Sequence, residues 1–168
     1  VVVDHVFGTG QHELTRLFHF PLVEVKTEGK AVQSAFPTDM NIQVLAADDA
    51  TLEMRKGWYP TGGATAEPSP VAAYINRATL PATLCAVLSP FSHAKQLPKV
   101  ETVAGTSPLA SQIRVTFADG QVDEIAIASE PADLQIGANR AHARALMIRK
   151  GPQANSVAVI DGDLLREN

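Results

Sequence analysis

Apolar side chains in this chain recur at every second residue, and no segment carries a 3.6-residue apolar stripe over three turns. Val1, Val3, His5 and Phe7 alternate against Val2, Asp4 and Val6. Leu14, Arg16, Phe18 and Phe20 share one side, with Glu13, Thr15, Leu17 and His19 on the other. The pattern returns at Ile113, Val115 and Phe117. Successive side chains of a strand point to opposite faces, so this period marks half-buried strands. The best helical rival is Ala138 to Ile148, but Gly137, Asn139 and the ending Leu146 to Ile148 favour a strand. Many short strands with frequent turns predict an all-β, antiparallel, multi-strand β-sandwich. Little or no helix is expected, in one domain over residues 1–168.

Turn chemistry divides the pattern. Gly8-Thr9-Gly10 turns the chain between the first two runs, and Pro21 ends the second, since proline cannot donate to a ladder. Glu28-Gly29-Lys30 and Asp119-Gly120 read as hairpin turns. Gly151-Pro152 and Asp161-Gly162 read as further turns. Gly57 to Pro70, rich in Gly and Pro, reads as a long ordered loop. Pro90 to Pro98 reads as a second loop, and Gly105 to Pro108 as a connection between sheets.

Composition removes several function classes. With 45% apolar and 19% charged residues, 168 residues are enough to bury a core without staples. Lys and Arg number 14 against 18 Asp and Glu, a net charge of −4, which argues against a nucleic-acid partner. No apolar run reaches the roughly 18 residues of a membrane span. One cysteine, Cys85, excludes an internal disulfide framework, and its apolar neighbours mark it as a buried, inert thiol. The chain opens in the strand-like Val1-Val2-Val3-Asp4 without a signal segment, as expected of a processed chain or part of a longer one.

Few residues carry chemistry. There is no G-x-S-x-G elbow, P-loop or dinucleotide motif, and Asp161-Gly162-Asp163 lacks the other ligands of an EF-hand. His5, His12 and His19 recur every seven residues near Asp4, and His12, His19 and Asp4 are the weak metal candidates. In a regular strand His12 and His19 fall on opposite faces, which favours structural histidines. Asp4 can pair with Arg16 or His12 across a hairpin. Trp58, Tyr59 and Tyr74 are the sugar-binding candidates, because aromatic faces stack on pyranose C–H surfaces. Arg55, Lys56 and Arg77 can supply a cation for a uronate carboxylate. The competing reading makes Trp58 a plug at the end of the sandwich.

Val1-Val2-Val3-Asp4-His5-Val6-Phe7-Gly8-Thr9-Gly10-Gln11-His12, with Phe18-His19-Phe20-Pro21, resembles the sheet region of heparinase II/III-like polysaccharide lyases. Gly57-Trp58-Tyr59, Pro70 to Tyr74 with Arg77, Leu88-Ser89-Pro90-Phe91, and Val115 to Gly120 with Asp123 are similar in the same order. The resemblance implies a layered β-sandwich that follows a helical toroid in a longer parent. It implies β-elimination of uronic-acid-containing polysaccharides such as glycosaminoglycan or alginate, and a periplasmic or secreted location. Zinc is possible in the parent family, and no cofactor is expected here. The base and acid, usually Tyr and His, lie in the family largely on the toroid or in the cleft against the sheet domain, so this chain alone is expected to be inactive. The alternatives are a stand-alone carbohydrate-binding module and a purely structural sandwich.

Overall fold

A computed structural model describes residues 1–37, 40–92, 97–103, 109–152 and 154–165. They form an all-β, sandwich-like fold of three antiparallel sheets with no helix. The middle sheet runs β1-β8-β5-β4-β3, built from β1 (Val2–Val6), β8 (Ala82–Phe91), β5 (Asn41–Ala46), β4 (Ala31–Ser34) and β3 (Val25–Glu28). A second sheet, β2-β7-β6, joins β2 (Gln11–His19), β7 (Thr65–Thr79) and β6 (Thr51–Gly62). The third runs β13-β12-β11-β10-β9. Its strands are β13 (Asn155–Leu165), β12 (Asn139–Lys150), β11 (Val122–Ile136), β10 (Ala110–Thr116) and β9 (Lys99–Val103).

The central strands of the middle sheet are packed on both faces. Val32, Val44 and Ala46 pack on one side with Phe20, Ala72 and Tyr74 of the β2-β7-β6 sheet. Ala47, Cys85 and Val87 pack on the other with Ile113 and Val115. This is why Leu84 to Leu88 is continuously apolar instead of alternating: neither face of this stretch of β8 is exposed to water.

The third sheet curls on itself. The register of β11 against β12 shifts between Ile127 and Ala132. Asp161 has a φ of 53° on the neighbouring strand, directly beyond Arg144. Buried positions of β12 change from Ala141 and Ala143 to Leu146 and Ile148 across this line, so the pleat reverses there. Leu134 and Ile136 then join Ala126, Leu146 and Ile148 in a core of their own. Gly162 is required at the bend, because an added Cβ would fall 2.1 Å from the His142 carbonyl oxygen.

Several sequence expectations change. Gly57 to Pro70 is no loop: β6 and β7 continue through it as a hairpin that turns at Gly62-Gly63-Ala64. Its prolines are tolerated because of where they face. The Pro70 carbonyl accepts from the Phe20 amide, so Pro70, and Pro68 two residues before, point away from β6 toward the side where β2 has ended. Pro60 lies on β6, an edge strand. Gly8 to Gly10 closes no hairpin but carries the chain from the middle sheet to the second one. Asp161-Gly162 lies inside β13 instead of forming a turn. Apart from Ala138, which lies in the turn, Ala138 to Ile148 is strand, as expected, and β12 runs on to Lys150. β8 extends to Phe91 into the second expected loop, whose residues 93–96 lie outside the described residues, as does the expected connection at Gly105 to Pro108.

Candidate functional site

The β6–β7 hairpin is an arm that outruns its own sheet. β2 pairs with β7 only from Val71 to Thr79, so residues 56–70 continue as two strands alone. Along this arm Lys56, Trp58 and Pro60 lie opposite Pro70, Pro68 and Ala66 on one face. Tyr59 lies opposite Glu67 on the other. Trp58 is 65% exposed and Tyr59 42%. The plug reading of Trp58 therefore fails. Alternation also sends the two rings to opposite faces, so they do not form one platform.

The cations sort themselves by partner. Arg55 donates to the Glu53 carboxylate at 2.9 Å, and Arg77 lies 3.5 Å from Glu13. Lys56 makes no ion pair among the described residues, and its ammonium sits 5.7 Å from the centre of the Trp58 ring, over its face. The free positive charge beside the exposed indole is therefore Lys56. Gly57 between them is a packing requirement, because a Cβ there would meet Val71 Cγ2 at 2.5 Å.

Tyr74 belongs elsewhere. It is fully buried, and its hydroxyl donates to the carbonyls of Lys30 and Val44 at 2.8 and 2.9 Å. No face of its ring is open to a glycan. Desolvation by burial pushes its hydroxyl pKa up to about 12, against a smaller opposing effect of Arg16. Beside it stands a buried polar hub. Asp48, in the bend after β5, accepts from Arg16 Nη2 at 2.7 and 2.8 Å. It also accepts from Asn76 and from the backbone amides of Ala50 and Cys85. This network ties the second sheet to the middle one. Arg16 Nε and Nη1 are buried with no partner among the described residues.

The expected pairing of Asp4 with Arg16 or His12 does not form. Asp4 and Arg16 line an open cleft of about 630 Å³ between β1 and β2, and Arg16 turns inward to Asp48. His12 Nε2 instead donates to the Thr9 carbonyl at 3.0 Å, and His5 Nδ1 lies 3.0 Å from the Thr83 hydroxyl. His12 and His19 lie on opposite faces of the regular strand β2. Among the described residues, no three or more His, Cys, Asp or Glu are arranged to hold a metal ion. Cys85 is buried, and burial raises its thiol pKa. A second cavity, of about 480 Å³, lies between the middle and third sheets against Val87, Phe91, Val115 and Met147. Its one charged lining residue, Asp123, is held at 2.7 Å by Arg149.

Sequence reasoning singled out Trp58, Tyr59 and Lys56 by residue type and passed over the Asp48 hub. Asp48-Asp49 read only as the end of a strand, and nothing local marks a loop aspartate as a partner for an arginine 32 residues away. Compared with known proteins, the chain matches no family model and no curated protein.

Proposed function

We propose that this chain is a glycan-binding β-sandwich domain. In this reading it supports the β-elimination of uronic-acid-containing polysaccharide by a longer parent carrying a helical toroid, and it does not complete that chemistry alone. One observation carries the reading: the chain's single tryptophan stands 65% exposed on a strand, and over its ring lies a lysine that makes no ion pair among the described residues. Met54, Trp58, Pro60 and Pro68 are all exposed on this one face of the hairpin, and an exposed apolar patch marks a contact surface. An indole face beside a cation suits a pyranose bearing a carboxylate. The motif order, which resembles that of heparinase II/III-like lyases, supports the polysaccharide class.

Because Trp58 is the only tryptophan, its fluorescence reports the site directly. Titration with alginate or glycosaminoglycan oligosaccharides should change the emission saturably, and Trp58→Phe should weaken binding measured by calorimetry. Emission and heat that stay flat with every uronic-acid oligosaccharide tried would overturn the glycan reading. The isolated chain should release no unsaturated product from these polymers. A sustained rise in product absorbance that survives repurification would overturn the non-catalytic part.

A further inference from the structure

Lys56 stands in an unusual relation to the indole it accompanies. Both lie on the same face of β6, two residues apart, and the ammonium rests over the ring. That is the surface on which a sugar would stack. A ligand must therefore draw the ammonium aside or compete with it. The neighbouring cations offer no substitute, since Arg55 and Arg77 each have a carboxylate partner.

We infer that Lys56 is the specificity-determining residue of the arm, and that it selects anionic sugars by gating the face of Trp58. The inference rests on the glycan reading above. A carboxylate-bearing sugar offers the ammonium a full charge in exchange for a quadrupole. The lysine then leaves the ring and bonds the ligand, so one movement both opens the stacking surface and adds an ion pair. A neutral sugar offers no such exchange and must displace the cation uncompensated. Exposed charge pairs are worth up to about 1 kcal/mol, which sets the preference at about fivefold in low salt.

The test uses a mannuronate tetramer and the same tetramer with its carboxylates reduced to alcohols, both followed by Trp58 emission. Wild-type protein should prefer the acidic tetramer by about fivefold, with the preference shrinking as salt rises. Lys56→Gln should lose that preference and bind the reduced tetramer at least as well as wild type does. Lys56→Arg should keep the preference. Equal discrimination by wild type and Lys56→Gln would overturn the gating role and leave the glycan site standing. Failure of wild-type protein to bind either tetramer would overturn the platform, and the gate with it.

Discussion

Two of the ion pairs that involve the β2-β7-β6 sheet are of nearly equal length and sit in opposite surroundings. Under the middle sheet, Arg16 and Asp48 meet at 2.7 Å with side chains 8% and 17% exposed. On the edge strand β6, just before the arm, Arg55 and Glu53 meet at 2.9 Å with side chains 45% and 52% exposed. Distance alone would rank them together. Water separates them: an exposed pair contributes about 0.2–1 kcal/mol, whereas a buried charge left without its partner is costly. The same strands thus serve as structure at one end and as accessible surface at the other.

The largest effect should come from breaking the buried end. Asp48→Ala leaves the Arg16 guanidinium uncompensated and strands the amides of Ala50 and Cys85. The expected cost is about 3–5 kcal/mol in denaturant unfolding. Changing both partners, Arg16→Met with Asp48→Leu, should recover part of that loss, since no charge then remains buried. A single Asp48→Ala that unfolds like wild type would show that the hub does not hold the two sheets together.

The division between the ends was only half legible in the sequence. Period-two runs identified the strands, and Glu28-Gly29-Lys30 and Asp119-Gly120 marked two hairpins, with Gly29 and Gly120 at φ of 56° and 86°. These signals are local. What failed depends on partners distant in the chain. The Gly- and Pro-rich arm resembled a loop because proline is a poor central-strand residue, and only the early end of β2 frees the edge that Pro68 faces. Tyr74 resembled a surface aromatic because its polar tip suits water, yet two backbone carbonyls satisfy that tip inside. Whether Trp58 pointed in or out depended on how far β6 and β7 run past the end of β2, which no residue near Trp58 encodes.

Tyr74 gives an effect of intermediate size with its own pH signature. Tyr74→Phe leaves the Lys30 and Val44 carbonyls short of a donor and should cost about 1–3 kcal/mol at neutral pH. In wild-type protein the folded pKa, about 12, lies above the ordinary value of 10.0. The folded state therefore holds this proton when the unfolded chain has released it. The resulting stability is complete below pH 10 and is lost as pH rises from there through about 12. Chemical denaturation across that window should show a steep alkaline decline in wild type and a shallower one in Tyr74→Phe. Parallel declines would mean that the Tyr74 hydroxyl is not desolvated.

The smallest effect on stability should fall on the residue with the largest effect on binding. A buried tryptophan cut to alanine typically costs about 3–5 kcal/mol, because a cavity remains where the ring was. Trp58 fills no such space. It is mostly exposed and belongs to none of the three buried clusters. Trp58→Ala should therefore change unfolding free energy by no more than about 0.5 kcal/mol. For a domain of this size that is a melting shift of about 2 °C or less. Affinity for uronic-acid oligosaccharides should fall sharply in the same variant, since the stacking surface is gone. The pair of measurements sharpens the contrast between the two ends of the sheet. A drop in melting temperature comparable to that of Asp48→Ala would place the indole among the buried residues, and the arm would then be a structural extension of the sandwich.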